Sequence, residues 1–255
     1  MIPNEPALQV CLIIPVYNEV ENIGQVIIEA LALPANPAYN LEILVVDGGS
    51  RDGTVEVAER AGVRVVPQRG RGYGAACYTG FQAATHADIL VYLDGDYSDP
   101  PTAVAILLDT MLTTQADLVL GSRTLGHSEQ GALPLQAVWG NRLVCWLIRL
   151  LYGYRLSDLP SFKVIRRARL ASFAMQEMTY GWTTEMLLKA IRARCIIAEV
   201  PVDYRRRGGG HSKVSGTFKG SIKAAYHLLK TTLRYTRWQP VLSQIYDYST
   251  PPSAE

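Results

Sequence analysis

Four short runs of large apolar residues, each ending abruptly in a polar cluster, set the strongest limit on how this chain can fold. The runs are Gln9–Pro15, Leu41–Val46, Ile89–Leu93 and Leu118–Leu120. The clusters that follow them are Pro15–Glu19, Asp47–Asp52, Asp94–Asp99 and Gly121–Arg123. A continuous apolar run lacks the alternation of a strand with one wet face and fits a strand buried on both faces. Segments of helical spacing lie between the runs. Ile23, Val26, Ile27, Ala30 and Leu31 mark the first of these, and Pro34 closes it. Another short strand is expected at Val63–Val66, with helices after Asp52, which can cap its helix, and after Gly74. Strands alternating with helices imply an α/β fold, a mostly parallel sheet flanked by helices. Ligands of such sheets bind outside the carboxyl ends of the strands, where all four polar clusters fall.

After Arg123 the regular alternation stops. A polar loop runs to about Pro134, and a helix is expected at Ala137–Tyr152. A strand at Phe162–Ile165, a helix at Thr183–Arg192 and a strand at Cys195–Val200 follow. Arg205–Gly216 is a basic glycine-rich loop, and Phe218–Arg237 a final helix. In that helix Lys219, Lys223, His227, Lys230 and Arg234 share one arc, and Phe218, Ile222, Ala225, Leu229 and Leu233 the next. A basic amphipathic helix suits an anionic membrane surface, or a core-packed helix with a solvated face. The apolar Leu143–Tyr154 segment, interrupted by Arg149, is too short to span a bilayer and is a second candidate for surface contact. The expected organisation is a catalytic domain over 1–215, with its acceptor side at about 124–215, an amphipathic helix over 216–238 and a tail over 239–255.

Charge disfavours one class of partner. The chain has 25 Lys and Arg against 23 Asp and Glu, so no global basic field points to nucleic acid. The basic residues are concentrated late: residues 192–237 hold eleven Lys or Arg against Glu199 and Asp203 alone. Cys11, Cys77, Cys145 and Cys195 lie far apart without a Cys-x-x-Cys pair, so neither a zinc site nor a disulfide framework is indicated. With no signal-peptide pattern at the N-terminus, the expectation is a cytoplasmic protein, peripheral at the membrane face, without a transmembrane helix.

The densest chemistry is at Asp94 and Asp96. Residues two apart on a strand point the same way, and two carboxylates that close repel unless a cation lies between them. Mg²⁺ or Mn²⁺ shared with a phosphate supplies one. An Asp-rich turn capping the helix near Pro100–Pro101 is the other reading. Tyr17 and Glu19 could grip a base and its polar edge, or form an ordinary strand-to-helix turn. Asp47 before two glycines permits close approach of a ligand, or caps a helix with its neighbours. Arg123 has a fork suited to phosphate oxygens, or pairs with a carboxylate in the crevice. Gly70-Arg-Gly-Tyr-Gly74 follows the third strand rather than the first, so it is read as a flexible loop near the ligand and not as a dinucleotide fingerprint.

In combination, IPVYNE, VVDGGSRDGT, DGD and GSR, in that order and at strand ends, resemble the family 2 glycosyltransferases of GT-A fold. Asp158-Leu-Pro-Ser-Phe-Lys163, Gly181-Trp-Thr-Thr-Glu185 and the Arg205–Gly216 loop bring the resemblance closer to the dolichyl- or polyprenyl-phosphate sugar transferases, over about residues 9–235. The resemblance implies a GT-A (Rossmann-like) sheet. Pro15, Tyr17, Glu19 and Asp47 would hold the base and ribose of a nucleotide-diphosphate sugar. Asp94 and Asp96 would hold Mg²⁺ or Mn²⁺, and Arg123 the acceptor phosphate. Arg205 or a neighbour, Ser212 and Lys213 would close over the diphosphate. The implied reaction is inverting transfer of a hexose from a UDP- or GDP-linked donor to a polyprenyl phosphate. Two alternatives stay open. One uses a hydroxyl acceptor with Glu185 as base and Asp158 second, although Glu185 also suits the first turn of a helix. The other is a nucleotide-binding module without catalysis. The segment Gly131–Gly140 departs from the resemblance: it lacks the basic residue and the serine expected there, and Arg142 is the nearest cation.

Overall fold

The computed structural model describes residues 6–209 and 228–239. Seven strands form one sheet: β1 (Leu8–Val16), β2 (Tyr39–Asp47), β3 (Arg64–Pro67), β4 (Ile89–Tyr92), β5 (Leu118–Ser122), β6 (Lys163–Arg166) and β7 (Ile197–Pro201). Their order is β3-β2-β1-β4-β6-β5-β7. The helices are α1 (Val20–Leu31), α2 (Thr54–Arg60), α3 (Tyr73–Ala83), α4 (Val104–Thr114), α5 (Leu135–Tyr152), α6 (Arg167–Ser172), α7 (Trp182–Arg192) and α8 (228–234). All neighbouring strands run parallel except β6, which lies antiparallel between β4 and β5. The mostly parallel α/β sheet expected from the apolar runs is therefore present.

The sheet is covered on both faces, which is why its strands are apolar on both sides. Leu12, Ile14, Val91, Val119 and Val164 pack under Ile23 and Ile27 of α1 and Leu107, Leu108 and Met111 of α4. Cys11, Ile13, Leu44, Leu90 and Ile165 pack under Cys77 of α3 and Met186 and Leu187 of α7. Each fully buried Leu, Ile or Val contributes roughly 1.5–3 kcal/mol relative to exposure. All four cysteines are free and buried within this packing. Among the described residues, no helix is long and apolar enough to cross a membrane.

Several local expectations are corrected or extended. The glycines at 72 and 74 are also packing devices, which the sequence did not indicate. A Cβ on Gly72 would meet the Met178 carbonyl oxygen, and one on Gly74 the Glu177 carbonyl oxygen. The amides of Gly74 and Ala75 donate to Thr179 and Met178 carbonyls (3.2 and 2.9 Å), so these α3 N-terminal donors are spent on protein. The helix after Asp52 begins at Thr54, and its N-cap position is Gly53, at φ +97°, rather than Asp52. From one position further out Asp52 still serves the first amide of α2, accepting from Thr54 and also from Val20 (both 3.1 Å), and so ties the starts of α1 and α2 together. The long basic helix lies outside the described residues up to 227. In α8, Thr231 and Thr232 are buried and Leu229 packs partly against the core while Leu233 is exposed, so the apolar arc of Leu229 and Leu233 is divided between core and solvent.

Packing on the sheet makes a direct prediction. A Cβ on Gly80 would run into Cγ2 of the buried, β-branched Ile13. Gly80→Ala therefore destabilises by about 1–3 kcal/mol, seen as a lower thermal midpoint. Gly140, inside α5, has open space around its Cβ position, and Gly140→Ala raises the midpoint, stabilising by about 0.8–1 kcal/mol.

Candidate active site

The carboxyl ends of β1, β2, β4 and β5 bring the polar clusters to one crevice. Val16 of β1 pairs with Asp47 of β2, so Pro15 and Tyr17 stand beside Asp47 at the strand tips. Tyr17 is 48% exposed. Asp47 is turned into its own loop, where it accepts from the amides of Gly49 (2.9 Å) and Ser50 (3.1 Å). A Cβ on the glycine after it, Gly48, would lie 3.1 Å from Gln68 Oε1 and 3.2 Å from the Val16 carbonyl oxygen, so the space there is tight.

Asp94 and Asp96 lie in the turn beyond β4, which ends at Tyr92. The turn, with Tyr97 at φ +66°, rather than strand alternation, sets their relation. They face different surroundings. Asp94 is directed inward, and its Oδ1 is buried with no hydrogen-bond partner. Burial raises its pKa and the charge of Asp96 raises it further, while Ser161, Tyr73 and Lys163 oppose the rise. Asp96 opens to the crevice and accepts from the Ser98 amide (3.0 Å) and from Arg207 Nη1 (3.1 Å).

Residues 204–209 lie across this turn. The Arg205 amide donates to the Ser98 carbonyl (2.8 Å) and the Gly208 amide to the Asp96 carbonyl (3.3 Å). The three consecutive arginines then diverge. Arg205 stacks over the Tyr97 ring at 4.7 Å and pairs with Glu29 (3.2 Å), on the α1 side. Arg206 donates to the Gln130 carbonyl (2.6 Å). Arg207 bridges Asp96 and Glu19, whose carboxylate also accepts from Asn22 (2.8 Å). Of the three, Arg207 rather than Arg205 is the one brought to the paired aspartates. Ser212 and Lys213 lie outside the described residues.

On the far side of the crevice, Arg123 is clamped by Asp158. Its backbone amide, Nε and Nη2 all donate to that carboxylate at 2.7–2.9 Å. Burial disfavours the guanidinium charge, but the bonds and charge of Asp158 outweigh burial and raise its pKa. The Leu159 amide adds a fourth donor to Asp158 (2.7 Å). Below the aspartates sits a buried cationic side chain from the last position of the Asp158–Lys163 block. Lys163, opposite Tyr92 across the β4–β6 pair, has a buried Nζ with no hydrogen-bond partner. Burial pushes its pKa down to about 7. Asp99, also buried, is pushed up to about 8 by burial and then by Asp94. A lysine inside the apolar run Phe162–Ile165 was the visible signal for this cation.

Glu185 is placed elsewhere. It is fully buried in the first turn of α7 and accepts from the amides of Gln176 (2.9 Å) and Glu177 (2.6 Å) and from the Tyr235 hydroxyl (2.7 Å). It pairs with Lys189 at 2.6 Å, which also donates to the carbonyls of Phe173 and Ala174. A carboxylate so enclosed has no free lone pair for an incoming hydroxyl, which argues against the role of base.

Comparison with known proteins agrees with this architecture. A family profile described as "Glycosyl transferase family 2" matches residues 11–168. An uncharacterized glycosyltransferase of Mycobacterium tuberculosis is 34% identical over 219 residues, 84% of this chain and 94% of that protein. An undecaprenyl-phosphate mannosyltransferase of Micrococcus luteus is 29% identical over 247 residues, covering 91% and 94%. Among solved structures, glucosyl-3-phosphoglycerate synthase from M. tuberculosis, in complex with Mn²⁺ and UDP-glucose, superposes with a TM-score of 0.73 at 22% identity. It covers 91% of this chain and 80% of that one.

The cage around Glu185 predicts a stability effect in place of a catalytic one. Glu185→Ala leaves the Lys189 ammonium buried without its carboxylate and costs about 3–5 kcal/mol, read as a lower urea midpoint. The folded fraction retains its turnover number.

Proposed function

The chain belongs to glycosyl transferase family 2, and on that premise we propose that it transfers a hexose from a UDP- or GDP-linked donor to a polyprenyl phosphate at a membrane surface, with inversion at the anomeric carbon. One observation carries the choice of acceptor. Glu185 and Asp158, the two carboxylates considered as bases, are each saturated by hydrogen bonds and an ion pair. A hydroxyl acceptor needs a base within reach. A phosphate monoester, with a second pKa of roughly 6, brings its own negative charge near neutral pH. The undecaprenyl-phosphate mannosyltransferase relative supports the same acceptor class. Membership of a family of transferases sets aside the non-catalytic module.

In this reading Tyr17, with Pro15 beside it, and Asp47 receive the base and ribose at the tips of β1 and β2. Glu19 and Asp96 hold the Arg207 guanidinium at the crevice, where its planar fork suits phosphate oxygens. Preorganised cations of this kind stabilise charge as it develops on a leaving diphosphate. Ser212 and Lys213 are assigned to the same closure. Arg123, immobilised by Asp158, presents a fixed positive charge on the acceptor side.

Asp94 and Asp96 suit Mg²⁺ or Mn²⁺. A buried carboxylate oxygen without a partner, on a group whose pKa is raised by burial and a neighbouring charge, is stabilised by a cation. Among the described residues no cluster of three or more His, Cys, Asp or Glu could hold a metal. Two carboxylates completed by substrate phosphates are the ordinary arrangement for Mg²⁺. When bound, the metal supplies Lewis-acid stabilisation of the departing diphosphate.

The test is release of nucleoside diphosphate from a panel of UDP- and GDP-sugars, with and without a short polyprenyl phosphate. Release is expected to depend on the lipid and to stop with a chelator. Asp96→Asn is expected to lower the turnover number on the order of 10²–10³-fold. Donor binding without lipid-dependent release defeats the polyprenyl-phosphate assignment.

A further inference from the structure

The helix α5 is apolar on the wrong side for a globular protein. Leu135, Trp139, Leu143, Trp146 and Leu150 are 48–75% exposed. At about 100° per residue they fall within an arc of about 80°. The inward side is held by Val144, Cys145 and Ile148. Arg142 and Arg149 border the exposed arc on one side, and both are exposed. No Asp or Glu occurs from residue 130 to residue 157, a stretch that carries Arg142, Arg149 and Arg155. These three arginines line, with Trp146 and Ser157, a shallow cavity of about 320 Å³ at the C-terminal half of α5. Ser157 bonds Ser122 (2.7 Å) and precedes Asp158, the partner of Arg123. At the end of α5 the Tyr152 hydroxyl donates to the Thr232 carbonyl (2.6 Å), so the exposed Leu233 of α8 adjoins the same end.

We propose that the outward face of α5 is a membrane-docking surface whose occupant is an anionic bilayer, with the tryptophans and leucines entering the headgroup–acyl boundary and the arginine-lined cavity receiving lipid phosphate. Charge decides among occupants. An exposed apolar face of this extent marks an interaction site. A twofold dimer would set this face against itself and oppose arginine to arginine with no acid in the segment to neutralise them. An anionic lipid surface complements both halves of the pattern, since aromatic residues favour the interface and arginine stems lie along it with charged heads outward. The surface rests on the acceptor assignment in no way: it acts on the bilayer, whatever the enzyme glycosylates. Its position, with the cavity one residue from the clamp on Arg123, places the bilayer beside the acceptor side of the crevice.

The test is flotation of the full chain with vesicles of phosphatidylcholine alone or mixed with phosphatidylglycerol. Binding is expected only to the anionic vesicles and to weaken with salt. Brominated lipids are expected to quench Trp139 and Trp146, and Trp139→Ser with Trp146→Ser removes the quenched signal and the binding. Substituting Arg142, Arg149 and Arg155 by Gln lowers affinity on the order of a hundredfold, at about fivefold per charge. Lys219→Gln with Lys223→Gln retains most of it. Wild-type flotation by the α5 variants, or a tryptophan variant that instead turns a dimer into a monomer in solution, overturns the proposal. Release of nucleoside diphosphate with detergent-dispersed polyprenyl phosphate is measured in parallel and is unchanged by Trp139→Ser alone, since Trp139 lies outside the lining of the cavity. If wild type shows vesicle binding without that release, the acceptor assignment fails and the docking surface stands.

Discussion

The crevice is organised by the need to neutralise carboxylates gathered where parallel strands end. Glu19, Asp94, Asp96, Asp99 and Asp158 converge from β1, β4 and the segment before β6, and carboxylates brought together in partly buried places call for cations beside them. Arg207 answers Glu19 and Asp96. Arg123 answers Asp158. Lys163 lies against Asp94 and Asp99 from below, with its own charge disfavoured by burial. Asp94 retains an unpartnered oxygen even so. Among the described residues, the cations thus satisfy the rim of the crevice and leave its centre short of positive charge.

Much of this was legible in the sequence because the strands are buried on both faces. Their apolar runs gave strand positions to within a residue or two, and the polar residues after them gave the crevice. What was not legible depends on nonlocal pairing. Nothing in Phe162–Ile165 encodes that β6 runs against its neighbours, since direction is settled by how the chain returns to the sheet. Arg205, Arg206 and Arg207 are chemically alike, and only the path of residues 204–209 over the Asp96 turn distributes them to Glu29, Gln130 and Asp96. The spacing of Asp94 and Asp96 suggested a shared strand face, whereas the strand stops two residues earlier and the turn separates their surroundings.

Glu185 shows a different limit. Its position in a first helical turn was compatible with catalysis or with helix electrostatics, and the structure supplies a third role, the centre of a buried knot joining α7, residues 173–177 and Tyr235. The Lys at i+4 was the available clue. The apolar run in α5 was read as a candidate for surface contact, and Leu143, Trp146 and Leu150 do face outward there, while Val144, Cys145 and Ile148 of the same run face the core. In both cases residue type alone left open which side of the chain meets protein.

The antiparallel insertion of β6 also governs how the molecule is built. A chain emerging from the ribosome can assemble β1 to β4 with their helices early, because those pairings are sequential or nearly so. β5 cannot join that half directly, since β6 separates it from β4. The edge of β4 thus stays open until residues 163–166 arrive, more than seventy positions later. Loop closure over that distance comes before the contacts that reward it, and an unpaired strand edge is a site for adventitious pairing. The same strand that carries Lys163 beneath the aspartates therefore controls the step at which the β1–β4 part and the β5–β7 part become one sheet, linking completion of the crevice to completion of the fold.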